Sequence, residues 1–458
     1  MNTTTSLTAG PISRGLIQLA FPILCANILQ CLNGTVSAFW VGRFLGEAAL
    51  SALTNAQSLM ILLTGTSFGI ATAATILVGQ RMGVADVAGA RRVVGTGVVV
   101  FSALSIALAV LGLAFAEPLL IMMRTAPEAL ALAIPYLRVM LLALPSLYLL
   151  AFVMSLLLGI GDSKTPLRFV VLSVSLGAVF TPAFVLGGAA IAGAGVVGAA
   201  VASCTAQALC LAALLRYLYR RRHPLCLTQE DAKNLRVDWS IARELVRKGI
   251  PMGAQVLVVS LSSVLMVALV NRFGVETTAA YGALLQLWTY ILMPALAMAA
   301  AVSTVAAQNV GARNWRRVKH TAHLGMGYSF AVTGTIVAIV YAAESHAYRL
   351  FLPAGSPALD IASHVNSIVT WSLAFMSIPL VLFGVMRAAG AVMVPLLVHI
   401  LSLLFVRYPL AALFLDRWQA DAIWWSFTIS AMVDVLLAIL YYRYGGWHRT
   451  EGEQSSVR

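Results

Sequence analysis

Charge is what this sequence has least of: Asp, Glu, Lys and Arg make up only 10% of its 458 residues, against about 25% in a water-soluble globular protein. With 60% hydrophobic residues beside that deficit, a soluble enzyme is excluded. Cysteine is scarce as well. Cys25, Cys31, Cys204, Cys210 and Cys226 are scattered, without the C-x-x-C spacing of a metal site or the density of a disulfide scaffold. Acids are outnumbered 17 to 30 by Lys and Arg, for a net charge of +13. A nucleic-acid partner would need those cations gathered on a soluble basic face, and here they sit between apolar runs, so no nucleic acid is expected. Nor does an A-x-A-type cleavage pattern follow the first apolar run, which is therefore read as a retained span.

What the chain has in quantity is apolar sequence of spanning length. A bilayer core about 30 Å thick takes about 20 helical residues, and such runs fall near 16–41, 50–78, 94–116, 131–160, 167–187, 195–216, 246–270, 279–307, 321–343, 361–386, 391–414 and 422–442. The fold class expected is an all-α membrane protein of twelve transmembrane helices. Twenty-three Lys and Arg fall in loops on one side, five on the other, and Arg138 and Arg407 lie within helices. The positive-inside rule then places both termini in the cytoplasm.

The chain also repeats itself. Pro22 and Pro251 are 229 residues apart, as are Arg43 and Arg272 in VGRF and VNRF, Glu47 and Glu276, and Pro166 and Pro395; Gly83 and Gly311 are 228 apart. A six-span bundle has been duplicated, and because six is even both copies start on the same face. Three regions follow: an N-terminal six-helix lobe over 1–216, a polar cytoplasmic linker over 217–245, and a C-terminal six-helix lobe with its tail over 246–458. Two matched bundles able to rock about a shared mid-membrane compartment are the layout of a secondary transporter.

The local motifs carry the reading further. FPILCANILQ, WVGRFLGEAALSAL, VGQRMGVADVAGARR, PYLRV and GIGDSKTP in the first half, and KGIP, NRFGVETTAAYGALLQL, AQNVGARN, VMRAAGAVMVP and VRYPLAAL in the second, together resemble the multidrug and toxic compound extrusion (MATE) family, from about Leu16 to Trp447. The resemblance implies two homologous six-helix bundles and an antiporter that expels cationic or amphipathic small molecules across a bacterial inner membrane. It also implies proton or sodium drive without an organic cofactor or metal, membrane lipids as neighbours, and a monomer. The sequence departs from the family where ions are commonly coupled. Ser37 stands where a first-helix acid is frequent, Gln255, Val259 and Ser260 occupy the seventh helix without a carboxylate, and the fifth helix reads VFTP.

A charged carboxylate at the centre of a membrane helix costs about 2.5 kcal/mol or more, so each intramembrane acid raises a functional hypothesis. Asp434, mid-span between Trp424–Trp425 and Tyr441–Tyr442, is the first ion-coupling candidate; the alternative is that it hydrogen-bonds Ser430 one turn earlier or a neighbouring helix and holds the bundle together. His399, which can relay a proton, is the second, and a packed histidine bonded to a carbonyl is its alternative. Arg407 is read as conformational, since a guanidinium facing a cation cavity would repel the cargo. Pro22 and Pro251, early in the first helix of each repeat, are read as matched bends. Candidate substrate-binding residues are Asn33, Ser37, Asn55 and Thr64 in the first lobe and Gln255, Ser260, Gln286 and Tyr290 in the second; hydrogen bonding between helices accounts for such a stripe equally well.

Rival functions fare less well. GIGDSKT lacks the glycine before Lys164 that a phosphate loop requires, no cluster of acids marks a metal or acid–base enzyme, and no pore-filter motif is present. No enzyme activity is expected. A lipid or oligosaccharide flippase of the same superfamily remains the alternative, because a cavity without the usual acids suits a less cationic cargo.

Overall fold

The computed structural model describes residues 7–123, 125–185, 195–227, 237–344, 348 and 355–447. Among the described residues every regular element is helical. The first, α1 (Ile12–Gly83), is 72 residues long, more than one bilayer crossing can use. It is interrupted at Gly46, whose φ of 82° is a conformation that costs a glycine little and other residues more. The same device recurs in the second repeat. There Gly274, with φ 95°, separates α7 (Trp239–Val270) and a short 3₁₀ turn at Asn271–Phe273 from α8 (Val275–Gly311).

Between these lie α2 (Val87–Met122), α3 (Pro127–Leu142), α4 (Leu144–Gly159), α5 (Lys164–Val185) and α6 (Gly195–Arg220). After α8 come α9 (Trp315–Ala342), α10 (Ala358–Val369), α11 (Ser372–Ala388), α12 (Met393–His399), a π-helical stretch at Ile400–Arg407, α13 (Tyr408–Trp418) and α14 (Ala420–Tyr444). Among the described residues ten helices, counting α1 as two on either side of Ala38, are long and apolar enough to cross a membrane. Two further spans are bent pairs, α3 with α4 by 50° and α10 with α11 by 51°, and counting each pair once gives the twelve expected. In the first pair Pro145 opens α4, where its missing N–H and its constraint on the preceding residue end the helix before it.

The duplication read from the sequence is also present in the backbone. Ala85 and Arg313, 228 residues apart, adopt the same unusual positive φ, 58° and 54°, and each is followed by a capping residue. Asp86 accepts the Gly89 N–H at the start of α2, and Asn314 accepts that of Arg317 at the start of α9. Close helix approaches repeat too. A β-carbon on Gly159 of α4 would stand 2.6 Å from the Thr75 carbonyl oxygen, and one on Gly384 of α11 would stand 2.7 Å from that of Ala299.

Packing divides the chain into two compact units, Cys25–Ile250 in one and Met1–Leu24 with Pro251–Arg458 in the other. These borders differ from the three regions drawn on the repeat: they fall beside Pro22 and Pro251, inside the first helix of each copy, whereas the linker lies within one unit. Of that linker, 228–236 lie outside the described residues; helix α6 extends into it as far as Arg220, and α7 resumes at Trp239. The Cys25–Ile250 unit is centred on Phe101, Phe152 and Tyr148, with the two phenylalanine rings 4.4 Å apart and the Tyr148 hydroxyl donating to the Leu63 carbonyl at 2.5 Å. In the other unit Tyr281, Trp288, Trp424 and Phe427 form a connected aromatic core.

Leu7 to Gly10 are strapped to the rest of that unit. Leu7 donates its N–H to Gln308 Oε1 at 3.3 Å and accepts from Asn309 Nδ2 at 3.2 Å. Arg317 donates from Nη1 to the Gly10 carbonyl at 2.9 Å and from Nη2 to those of Leu7 and Ala9. Leu16 is fully buried just beyond.

Candidate functional site

The intramembrane ionisable residues of the second repeat come together in a buried polar cluster. Asp434 projects from the middle of α14 and is 1% exposed; among the described residues it is the only buried acid. Its partners come from the helix that precedes it in the chain. His399, the last residue of α12, places Nδ1 3.2 Å from Asp434 Oδ2, and Ser402, one turn on, places its hydroxyl 2.6 Å from Oδ1. That hydroxyl also lies 2.9 Å from the Val398 carbonyl, so one proton serves two acceptors. The imidazole is held on its other side by the Phe383 ring, edge to face at 5.2 Å.

Arg407 closes the cluster at the far end of the π-helical stretch. Its Nε donates to Ser430 Oγ at 2.8 Å, and its guanidinium carbon lies 4.4 Å from the centre of the Phe427 ring. Ser430 is therefore not the partner of Asp434: it serves Arg407 and donates onward to the Phe427 carbonyl. His399 and Arg407, eight residues apart, flank the helix that carries Asp434 from a backbone wound to the wider i→i+5 pattern, a winding frequent at functional sites.

Local folding explains the placement. Pro395 is the third residue of α12, where the N–H it lacks would have had no partner within the helix, and the ladder changes register from Ile400 onward. α14 carries Asp434, Ser430 and Phe427 at spacings of four and three, which puts them on one face. Chemically the cluster sets a buried carboxyl against an imidazole nitrogen and a serine hydroxyl, with the Arg407 guanidinium two turns beyond His399. Among the described residues no group of three or more His, Cys, Asp or Glu side chains is arranged to hold a metal ion.

The polar residues expected to line a cargo path are more dispersed. Asn33 and Ser37 are half-buried on α1, and Asn33 Oδ1 occupies the space left by Gly177, where an added β-carbon would stand 3.0 Å away. Asn55 donates to Thr125 Oγ1 at 3.3 Å, and Thr64 turns its hydroxyl back to the Ile61 carbonyl at 3.0 Å. In the other unit Gln255 is 9% exposed on α7, Ser260 is half-buried one and a half turns on, and Gln286 and Tyr290 are half-buried on α8. Pro22 and Pro251 are buried inside α1 and α7. Ser402 and Phe427 have no distinguishing mark in the sequence: a lone serine and a lone aromatic in apolar helices acquire their roles from what packs against them.

Comparison with known proteins agrees with this architecture. The MatE family model matches the chain twice, over residues 22–183 and 251–413, one match per repeat. The Probable multidrug resistance protein YoeA of Bacillus subtilis (strain 168) is 29% identical over 425 residues, covering 92% of each chain. YpnP of the same organism, named likewise, is 27% identical over 96% of this chain and 97% of its own. An outward-facing multidrug resistance MATE family transporter of the MOP superfamily superimposes with a TM-score of 0.89 at 20% identity over the whole of both chains. A MOP superfamily transporter from Pyrococcus furiosus Vc1 also gives 0.89 at 20% identity, over 98% and 99% of the two chains. At that identity the likeness speaks to fold. With the family model covering most of both repeats, the chain belongs to the MATE family of membrane transporters.

Proposed function

We propose that the protein is a secondary active efflux transporter that expels cationic or amphipathic small molecules by alternating access, with both termini cytoplasmic in a bacterial inner membrane. The names of the Bacillus relatives support export of drug-like compounds, and the loop charge asymmetry supports the orientation. The observation that carries the coupling is the buried Asp434 with His399 and Ser402 at 3.2 and 2.6 Å.

This arrangement favours protons over sodium. A sodium site needs several oxygen ligands around the ion, as hard cations do; here one side of the carboxylate faces an imidazole nitrogen, and an imidazolium would repel a metal cation. Protonation of Asp434 removes the charge that draws His399 and Ser402 toward it, which loosens α14 from α12 and the π-helical stretch. Loss of the proton restores the pair. Such a charge-dependent packing step biases one bundle conformation against another.

The test is transport in proteoliposomes. An imposed pH gradient drives accumulation of a fluorescent cationic dye in the wild type, a sodium gradient alone does not, and Asp434→Asn abolishes the response while the protein remains folded. Dye movement that survives Asp434→Asn removes this residue from the coupling, and gradient-independent movement of a labelled lipid favours the flippase alternative.

A further inference from the structure

The start of α9 encloses a basic recess that the transport reading does not use. It has a volume of about 540 Å³ and is lined by Ile12, Asn314, Arg316, Arg317, Lys319, His320 and His323. Arg316, Lys319 or His320, and His323 follow one another at i, i+3 or i+4, and i+7, so one face of the first two turns of α9 is cationic. No acidic side chain lines the recess, and none lies in the first turn of the helix.

The duplicated counterpart shows how an ordinary helix start of this kind is balanced. At the head of α2, 228 residues earlier, Asp86 caps the helix and lies 3.3 Å from Arg81. In the second copy that acid is Asn314, Ala88 and Gly89 are replaced by Arg316 and Arg317, Arg92 by His320 and Gly95 by His323. Three groups able to carry positive charge have been added, Arg316, Arg317 and His323, one arginine has become His320, and the carboxylate has been removed. Setting membrane topology needs only cations in the loop; it does not require them to converge on a concavity. Arg317 spends both Nη atoms on the Leu7–Gly10 strap, which leaves Arg316 and Lys319 exposed as the cations the recess can offer.

From these observations we infer that the recess is a binding site for a phosphate-bearing anion, presented either as the headgroup of an acidic phospholipid or as a soluble phosphate. The α9 N-terminus contributes the positive end of the helix dipole, and Arg316 and Lys319 supply the charges that a headgroup phosphate meets at a membrane surface. Because Arg317 also fastens the strap, an occupied site stiffens the attachment of Leu7 to Gly10. The proposal does not depend on what the protein transports.

The experiment uses the full chain, purified in neutral detergent and delipidated, with binding followed by native mass spectrometry and by thermal unfolding. The probes are phosphatidylglycerol, phosphatidylcholine as the zwitterionic reference, and inorganic phosphate. The variant is Arg316→Gln with Lys319→Gln, both exposed and neither holding the strap; the control removes the same charge elsewhere, Arg220→Gln with Arg221→Gln. Phosphatidylglycerol binds saturably and more tightly than phosphatidylcholine, and the Arg316/Lys319 variant loses at least about tenfold in affinity while the control does not, as expected when each basic contact is worth roughly a factor of five. If inorganic phosphate raises the unfolding temperature with the same dependence on Arg316 and Lys319 while the lipid preference is absent, the site stands and its ligand is a soluble phosphate. Equal losses in variant and control, or no preference for either anion, overturn the proposal.

Discussion

Replacing Ser402 by alanine removes a 2.6 Å hydrogen bond to a buried carboxylate, a class of interaction worth about 1.5–3 kcal/mol. We expect Ser402→Ala to lower the unfolding temperature of the detergent-solubilised protein and to weaken pH-driven dye uptake without abolishing it, whereas Asp434→Asn abolishes uptake. The two variants separate the group that exchanges a proton from one that only holds it in place. At this scale the sequence was partly legible. Asp434 and His399 stood out because ionisable groups are rare in membrane helices. Their pairing was not readable, because 35 residues and a helix turn-back separate them. The local partner a helix offers, Ser430 at i−4, is taken instead by Arg407.

Between elements, the sharpest test lies where helices approach backbone to backbone. Gly384→Ala puts a β-carbon 2.7 Å from the Ala299 carbonyl oxygen, an atom that cannot rotate away; overpacking of this kind costs about 1–3 kcal/mol. Gly327→Ala on α9 meets nothing within 4 Å and gains about 1 kcal/mol of helix propensity. Thermal unfolding of the pair should move in opposite directions.

The entry to α7 carries a pH dependence. Asp238 accepts from the Ser240 hydroxyl and N–H and from the Ile241 N–H, and the hydroxyl bond foremost holds its carboxyl below the ordinary value of 3.8. A depressed carboxyl stabilises the folded state above its unfolded value and loses that contribution as pH falls through its folded one. Protection of the Ser240 and Ile241 amides in hydrogen exchange should therefore decline below about pH 4, and should be absent at neutral pH in Asp238→Ala. Spans and their order were readable from apolar length alone. The π-helical winding of Ile400–Arg407 was not, since a change of hydrogen-bond register leaves the composition of a helix unchanged.

For the whole molecule, the duplication was visible as a fixed offset between prolines, arginines and glutamates, and the backbone repeats it at Gly46 and Gly274 and at Ala85 and Arg313. The borders of the compact units were hidden for a simple reason. The segment up to Leu24 packs with the second repeat, and among its bonds are those of Leu7 to Gln308 and Asn309, partners about three hundred residues apart that no local pattern connects. Deleting residues 1–10 should lower the unfolding temperature and open the Gln308–Arg317 region to proteolysis, while leaving the aromatic core around Phe101 and Tyr148 protected.

That strap fixes an order of events during synthesis. Leu7, Ala9 and Gly10 have their partners in Gln308, Asn309 and Arg317, made some three hundred residues later, so the first copy can enter the bilayer with this segment still undocked. A fragment of the second copy expressed by itself would therefore carry a dock without the segment that fills it, whereas Cys25–Ile250 packs as a compact unit to which the strap does not belong. Only a chain that has both halves in hand can close that dock.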